Sequence, residues 1–494
     1  GASVEATNQT RAYAPKDWGH VVAPTNRRPF GFNWEEWGRI DALEVLQHAK
    51  RIHSPDPARI YLIGHSMGGH GTWFMGAAYP DRFAAIGPAA AYPDIIGYRT
   101  TGSDAGLEAN PHFRMISRAA SPGRVLNLAR NYLHSGVYVL HGDADLVVPV
   151  GQARQMRQVL GGFHPNFSYY EYPGGTHWDG DHSMDWPPLF EFLKQNTIPE
   201  KHAVSSLEFH TASPAVSSAN HWVEVLQQHR PYLHASVKAE RRGDTIALEL
   251  ENVRSLRLQL SELWMEGPAV IEVGGQTLGA RSGTDVILLS GVEGWEIDGF
   301  MDQTGKHPER YGGFKLAFDH GVVFVYATNG NGEENQWWEQ KARFDAATFL
   351  YRGNGSVEVL PDSLFRAAQF PGRSVIVYGN ASNNLAWSQL LAHSPVQVTD
   401  GRMLIGSEVL EGDDLGTYFI YPRQDCLISS VGVVSGTGRP GMMATWANDY
   451  FSGITGFPDL LVFHVDWLRD GVRGIRVSGF FDPGWRLEDA DLQF

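Results

Sequence analysis

Cysteine, long apolar runs and an excess of positive charge are all missing from this sequence of 494 residues. The single cysteine, Cys426, excludes an intramolecular disulfide and a metal site built from cysteines. No apolar stretch approaches the roughly 18 residues of a membrane-crossing helix, so we predict no transmembrane segment. The 40 basic and 55 acidic residues leave a net charge of −15. This balance argues against nucleic acid and anionic membranes as partners, because both attract a positive surface.

The N-terminus lacks two further features. The first ten residues, GASVEATNQT, contain neither a starting methionine nor the charged-then-apolar pattern of a secretory signal. We therefore expect the chain to begin partway through a fold, with any targeting segment upstream. Compartment and oligomeric state stay open, although the acidic, tryptophan-rich and disulfide-free character favours a secreted or periplasmic protein.

Strand and helix patterns alternate between about residues 19 and 195, which predicts a parallel α/β sheet with right-handed crossovers. The predicted strands are GHVVAPTN, IYLIG, FAAIGPAAA, VYVLHGDAD and FSYYEYPGG. The predicted helices include EEWGRIDALEVLQHAKRI, the residues after Ser66, and WPPLFEFLKQ. Residues 92–135 fit no regular unit, and we expect them to form a cap over the carboxyl edge of the sheet.

The pattern changes after Pro199. Apolar and polar residues alternate in ASVKAERRGDTIALELENVRSLRLQL, and IEVGGQT contains a hairpin-type Gly-Gly, which predicts an all-β, sandwich-like module. Strand and helix patterns alternate again from about residue 310. We therefore predict three domains: an α/β catalytic domain over 1–198, a sandwich-like domain over 199–305, and a second α/β domain of unknown role over 306–494.

Residues 64–71 read GHSMGGHG and follow the predicted strand IYLIG. A serine in a G-x-S-x-G turn between a strand and a helix is typical of a nucleophile, because the turn lifts its hydroxyl clear of the backbone. The helix that follows offers the Met67 N–H and its dipole to a developing oxyanion. Gly64 and Gly68 are expected to let neighbouring backbone pass close by. The alternative is a structural turn that happens to contain Ser66.

A nucleophilic serine needs a base, and the base needs an acid to orient it. Asp143 and Asp145 follow the strand VYVLHG, and we choose Asp145 as the acid, with Asp143 capping the turn. His177 follows the last strand and is the predicted base, with His182 as the alternative. The chain order of serine, aspartate and histidine is the α/β-hydrolase order.

The group His177, Asp179, Asp181 and His182 also allows a reading as metal ligands. It matches no metal motif of fixed spacing, and the triad already uses His177. We therefore predict no metal and no cofactor.

Together, GHSMGGHGTW, HGDADLVVP and GGTHWD resemble the catalytic domain of the prolyl oligopeptidase family and its esterase relatives. The resemblance covers about residues 1–195 and implies an α/β-hydrolase fold. It also implies that Gly1-Ala2-Ser3 corresponds to the end of the family's "LHGA" segment, so the backbone N–H of Ala2 would be the second oxyanion donor. The first strands of the sheet would then lie upstream and be missing from this chain.

Two departures limit what the resemblance implies. Peptidases of the family usually carry an N-terminal β-propeller, and nothing in this sequence indicates one. A long C-terminal region follows instead, an arrangement that also suits large bacterial-type hydrolases acting on esters. The first expectation is a serine peptidase that cleaves a peptide amide. The alternatives are a carboxylesterase acting on a carbohydrate-linked or polymeric ester, and a catalytically inactive binding module.

The C-terminal region contains two Gly/Asn-rich turns, TNGNGEEN and YGNASNN. A nucleotide-binding loop is one interpretation, since a helix N-terminus attracts anions. A plain turn is the favoured one. Trp337, Trp338, Phe344 and Phe349 fit a helix core better than a carbohydrate platform.

Overall fold

The structure is a computed structural model that describes residues 2–27, 31–99, 107–298 and 301–494. For residues 2–5, 31–32, 99 and 298 it describes the backbone only. The described residues form two compact units. The first takes its residues from Gly1–Thr101, Pro122–Gln228 and Leu233–Met301, and the second from Gly102–Ser121, His229–Tyr232 and Asp302–Phe494. The three-domain division made from the sequence stays a prediction.

The α-helices in chain order are α1 (Ala2–Arg11), α2 (Glu36–His53), α3 (Met67–Ala78), α4 (Ile95–Arg99), α5 (Pro111–Ala119), α6 (Val125–Leu128), α7 (Gly151–Gly161), α8 (Pro187–Lys194), α9 (Gly332–Gly353), α10 (Trp387–Leu390), α11 (Arg439–Ala444) and α12 (Trp467–Asp470). Proline occupies the first turn of α8, where the missing N–H costs nothing. Among the described residues, no helix is long and apolar enough to cross a membrane.

The first unit begins with a four-stranded parallel sheet in the order β1-β2-β3-β4. Its strands are β1 (Tyr61–His65), β2 (Ala85–Ala89), β3 (Gly136–Gly142) and β4 (Phe167–Tyr172). Strand β2 is buried throughout, and β1 is only half-buried because it pairs on one side alone among the described strands. This parallel sheet confirms the predicted α/β class, with the carboxyl ends of all four strands at one edge.

One predicted strand is wrong. The structure places GHVVAPTN, residues 19–26, outside any helix or strand. Val21 and Val22 are 38% and 45% exposed, so the two valines do not supply a buried face. A short apolar pattern without a pairing partner does not make a strand, because the backbone groups of a strand need a ladder.

The all-β part of the first unit is a pair of five-stranded sheets, as the alternating pattern predicted. One sheet has the order β14-β13-β10-β7-β6 and the other β12-β11-β9-β8-β5. The strands are β5 (Ser206–Thr211), β6 (Ala219–Asn220), β7 (Val223–Gln228), β8 (Ala235–Arg242), β9 (Thr245–Glu251), β10 (Val253–Leu258), β11 (Ala269–Val273), β12 (Gln276–Ala280), β13 (Val286–Gly291) and β14 (Gly294–Asp298). Trp222, Leu256 and Ile271 are fully buried in their common core.

The second unit holds an eight-stranded mixed sheet in the order β16-β15-β17-β22-β21-β23-β24-β25, together with a small antiparallel sheet β18-β19-β20. Its strands are β15 (Val322–Tyr326), β16 (Glu358–Pro361), β17 (Ser374–Tyr378), β18 (Val396–Thr399), β19 (Arg402–Ile405), β20 (Glu408–Glu411), β21 (Leu415–Pro422), β22 (Ser430–Gly436), β23 (Leu460–His464), β24 (Ile475–Phe480) and β25 (Asp491–Gln493). The first four strands of this order pair in parallel and the remaining pairs are antiparallel.

Helix α5 comes from the segment that the sequence analysis assigned to a cap, and it belongs to the second unit. Arg118 at its end forms an ion pair with Asp491 of β25 at 2.5 Å. His112 lies 2.9 Å from the Ser478 hydroxyl of β24. The role of residues 92–135 as a cap stays a prediction.

Candidate active site

Ser66 forms the turn between β1 and α3 in a conformation that non-glycine residues rarely adopt, with φ 57° and ψ −118°. Such a backbone costs on the order of 1–3 kcal/mol and needs support from its surroundings. The Ser66 N–H donates to the Ala89 carbonyl at 2.9 Å, and the Ser66 carbonyl accepts from the His70 N–H at 3.0 Å. These two bonds hold the turn at the carboxyl edge of the sheet.

Two glycines are required by close approach in this turn. A Cβ at Gly64 would lie 2.2 Å from the Gly68 carbonyl oxygen, and one at Gly69 would lie 2.6 Å from the Ala89 carbonyl oxygen. A Cβ at Gly68 would meet no described atom within 4 Å. The expectation of close approach is therefore confirmed at Gly64 and wrong at Gly68, because the crowding falls on Gly69 instead.

The structure brings the side chains of Ser66, Asp145 and His177 into one hydrogen-bonded chain. His177 Nε2 lies 2.9 Å from Ser66 Oγ, and His177 Nδ1 lies 2.8 Å from Asp145 Oδ2. Since a carboxylate only accepts, Nδ1 carries the proton and Nε2 is free to accept from the serine hydroxyl. The Ser66 side chain makes no helix-capping bond, so it faces the histidine instead.

Asp145 and Asp143 have different partners. The Asp145 side chain is fully buried, and its Oδ1 accepts from the N–H groups of Val147 and Val148, both at 2.8 Å. Asp143 Oδ1 instead accepts from the Gly174 N–H at 2.7 Å and bridges two loops. Of the two carboxylates considered from the sequence, Asp145 is the one at the histidine.

Two further histidines, for which the sequence predicted no role, pack around this hydrogen-bonded chain. His65 Nε2 donates to the His177 carbonyl at 2.7 Å, and its ring centroid is 4.9 Å from that of His177. Burial lowers the pKa of His65 to about 4. A neutral His65 therefore fixes the His177 backbone without opposing positive charge on the His177 ring.

His141, on β3, donates from Nε2 to the Val148 carbonyl at 2.8 Å, and this nitrogen is 3.4 Å from Asp145 Oδ2. Burial lowers the pKa of His141. Its contact with Val148 closes the same turn that donates to the Asp145 carboxylate. Their positions could have indicated both histidines from the sequence, since His65 ends β1 and His141 lies near the end of β3.

The two predicted oxyanion donors lie at helix starts. Met67 is the first residue of α3, so its N–H has no carbonyl partner within the helix and points out of its positive end. Ala2 is the first residue of α1. The oxyanion role of Met67 and Ala2 stays a prediction.

His182, the alternative base, stacks on Tyr172 with ring centroids 4.3 Å apart, whereas His177 contacts Ser66. Asp179 accepts from the Thr176 N–H at 2.5 Å. Within the part of the chain that the structure describes, no group of three or more His, Cys, Asp or Glu side chains is arranged to hold a metal ion. The metal interpretation of these residues gains no support.

The first Gly/Asn-rich turn of the second unit, TNGNGEEN, is held by bonds among its own residues. Asn331 and Glu334 form a capping box at the start of α9, and Asn335 bonds to Thr328 and Gly330. Glu333 and Glu334 in the first turn disfavour an anionic ligand. This arrangement supports the plain-turn interpretation over a nucleotide loop.

The aromatic residues of α9 divide between core and surface. Trp338 is fully buried and Phe349 is 7% exposed, as a helix core requires. Phe344 is 37% exposed and stacks on Trp446, with ring centroids 4.6 Å apart. The core interpretation is therefore right for Trp338 and Phe349 and wrong for Phe344.

Parts of the sequence are similar to known proteins. The sequence model of the prolyl oligopeptidase family matches residues 27–196. An uncharacterized secreted protein of Arthroderma benhamiae is 28% identical over 280 residues, which is 52% of this chain and 29% of that protein. Poly(3-hydroxyalkanoate) depolymerase C of Paucimonas lemoignei is 43% identical over 70 residues, or 13% of this chain and 17% of that protein. The chain thus spans less than a third of the length of the curated relatives it matches.

Solved structures resemble the chain only in part. The acylaminoacyl peptidase of Pyrococcus horikoshii is 19% identical, with 34% of this chain and 29% of that chain covered and a TM-score of 0.27. The S-formylglutathione hydrolase of Staphylococcus aureus is 16% identical, with 33% and 64% covered and a TM-score of 0.24. Likeness of this size says nothing about function. The match to the sequence model of the prolyl oligopeptidase family is the more specific finding, and the matched segment 27–196 contains Ser66, Asp145 and His177.

Proposed function

We propose that this chain hydrolyses an acyl bond through a covalent intermediate on Ser66, with a peptide amide as its substrate. The observation that carries the proposal is the continuous hydrogen-bonded chain from Ser66 Oγ through His177 to the buried Asp145. A turn serine without a catalytic role would not need a strained backbone, a hydroxyl left unused for helix capping and a histidine in the accepting tautomer together.

In the proposed mechanism, Ser66 Oγ attacks the substrate carbonyl while His177 Nε2 takes the hydroxyl proton. Asp145 holds the imidazole through Nδ1 and stabilises the positive charge that forms on it. The backbone N–H groups of Met67 and Ala2 donate to the oxyanion. His177 then protonates the leaving group, and a water molecule activated by the same histidine releases the acyl group from Ser66.

The nature of the leaving group separates the first candidate from the second. The match of residues 27–196 to the model of a peptidase family supports an amide. The match to a poly(3-hydroxyalkanoate) depolymerase, although it covers only 70 residues, supports the second candidate, a carboxylesterase acting on a polymeric ester. An amide is the more demanding substrate, since its nitrogen must be protonated before it leaves.

The test uses the wild-type chain and Ser66→Ala on an amide and an ester that share one acyl group, such as an acyl p-nitroanilide and the p-nitrophenyl ester. Cleavage of the amide that disappears in Ser66→Ala supports the peptidase. Cleavage of the ester alone supports the esterase. Turnover of neither, or turnover that survives Ser66→Ala, overturns the proposal and favours the third possibility, an inactive binding module.

A further inference from the structure

A large apolar residue follows each member of the triad, and each of these side chains is exposed. Met67 follows Ser66, Leu146 follows Asp145 and Trp178 follows His177. Their exposed fractions are 38%, 94% and 52%, in that order. We refer to these three residues as the apolar rim.

The apolar rim lies beside the reacting group because of the chain's own connectivity. Consecutive Cα atoms are about 3.8 Å apart, and the triad side chains meet at 2.8 and 2.9 Å. Each rim residue is therefore one peptide unit from a residue of one compact hydrogen-bonded group. Single exposed apolar side chains are ordinary, but several of them gathered at one place mark a binding surface.

Two of the rim residues are also held in position. The turn containing Leu146 is closed by the Val147 and Val148 N–H groups, which donate to Asp145. Trp178 packs edge-on against His65, with ring centroids 5.0 Å apart. A fixed indole and a fixed turn lose little conformational entropy when a ligand covers them, and both features favour binding.

The charges in the same loops are of one sign. Asp143, Asp179 and Asp181 lie within four residues of Asp145 or His177, and segments 60–81, 139–153 and 158–193 contain no lysine or arginine. Like-charge repulsion in a site of this kind disfavours an anionic substrate. An uncharged apolar group meets no such penalty and covers apolar surface that is otherwise exposed to water.

We propose that the apolar rim selects substrates that carry an uncharged apolar group beside the scissile carbonyl, with Leu146 and Trp178 as specificity-determining residues. The occupant is the substrate itself, since the groups on either side of a carbonyl bound at Ser66 extend toward the loops that carry these residues. This inference rests on the proposed acyl hydrolysis at Ser66. It is independent of the choice between amide and ester.

The experiment measures kcat/KM of the wild-type chain on p-nitrophenyl acetate, butyrate, hexanoate and octanoate, and on p-nitrophenyl succinate as an anionic ester of butyrate length. We expect kcat/KM to rise about threefold for each added methylene that reaches the rim. We expect the succinate ester to be cleaved at least about tenfold more slowly than the butyrate. Leu146→Ser and Trp178→Ser should flatten the rise of kcat/KM with chain length, because the longer acyl chains then lie beside a small polar side chain.

Matched controls separate the rim from a general loss of surface hydrophobicity. Val292, in the β13–β14 hairpin, is also fully exposed, and Val292→Ser should change none of the rates. Unlike Leu146→Ser, Leu146→Met keeps an apolar side chain at this position and should keep the dependence of kcat/KM on chain length. A chain-length dependence that is absent in the wild type, or unchanged in both serine variants, would overturn the rim proposal while acetate turnover still supported hydrolysis at Ser66. Failure to cleave any of these activated esters would instead overturn the proposed function.

Discussion

Each unit of this protein contains an aspartate whose side chain is completely buried and bonded to a basic side chain on one oxygen. In the first unit, Asp145 bonds to His177 at 2.8 Å. In the second, Asp345 bonds to Lys341 at 2.8 Å, and both of those side chains are inaccessible to solvent. The two arrangements differ in what lies beyond the first bond.

Around Asp345 the bonds lead to side chains that are buried or half-buried. Its carboxylate also accepts from Tyr378 at 3.0 Å, from Tyr450 at 2.5 Å and from Asn448 at 3.1 Å. Burial raises the pKa of both tyrosines well above the ordinary value. Such a hydrogen-bonded network favours a single packing arrangement.

Around Asp145 the chain of bonds leads outward. The His177 side chain is 22% exposed, and the serine hydroxyl beyond it belongs to a strained turn. The comparison teaches that burial of a carboxylate does not by itself indicate chemistry. An accessible partner and a strained neighbour distinguish the candidate active site from a structural network.

Asp145→Asn should produce the largest effect. The amide can still accept from Val147 and Val148, but it cannot stabilise positive charge on His177 and it favours the wrong tautomer. We expect kcat on an activated ester to fall about a thousandfold or more, with secondary structure by circular dichroism unchanged. Asp143→Asn is the control and should lower kcat less than about tenfold, because Asp143 only bridges to Gly174. Similar losses in both variants would contradict the assignment of the acid.

Lys341→Met should lower the free energy of unfolding and leave kcat/KM unchanged. It removes the cation and leaves Asp345 buried without it, which costs about 3–5 kcal/mol of unfolding free energy. The measurement is urea denaturation followed by tryptophan fluorescence, with kcat/KM taken in the absence of urea. Lys238→Met, in a surface pair with Glu249 at 3.7 Å, should cost less than about 1 kcal/mol. A catalytic defect in Lys341→Met without loss of stability would place the Asp345 network among functional sites.

Much of the fold and of the candidate site was predictable because it depends on local patterns. The buried strands β2 and β3, the turn at Ser66 and the prolines that begin α8 all have sequence signals that act over a few residues. The serine, aspartate and histidine were found because each one follows a predicted strand. Parallel strands bring those positions to the same edge of a sheet.

The features that were missed depend on tertiary contacts. The role of His141 depends on the folded path of the chain, which places the Val148 carbonyl 2.8 Å from His141 Nε2. The requirement for Gly69 in place of Gly68 depends on the path of Ala89 on another strand. Likewise, nothing local in the sequence of α5 indicates that it packs with β24 and β25 of the second unit.

Acid should weaken the first unit through histidines that are buried without charge. Burial lowers the pKa of His221 to about 3, compared with about 6.5 in an unfolded chain. Between those values the unfolded chain binds a proton that the folded chain excludes, so stability is complete above about pH 6.5 and falls as the pH drops. For His221 the loss from pH 7 to pH 5 is on the order of 2 kcal/mol.

His221→Asn removes this titrating group, and asparagine tolerates the positive φ of 53° at that position. We expect the decrease in unfolding free energy between pH 7 and pH 5 to shrink by that amount. His48→Asn, at an exposed position on α2, should leave the decrease unchanged. An equal pH dependence in the wild type and His221→Asn would show that other groups cause the acid sensitivity.

The smallest effect is expected at Gly68, even though it completes the G-x-S-x-G pattern. A Cβ there meets no described atom within 4 Å, whereas one at Gly64 would lie 2.2 Å from the Gly68 carbonyl oxygen. Gly68→Ala should therefore keep kcat/KM within about twofold and leave the unfolding free energy within about 0.5 kcal/mol, as for an unconstrained site. Gly64→Ala, its matched partner in the same turn, should abolish activity or folding, because backbone cannot move away as a flexible side chain does. Loss of activity in Gly68→Ala with normal stability would mean that the space beside Gly68 belongs to the substrate, and would extend the site toward the start of α3.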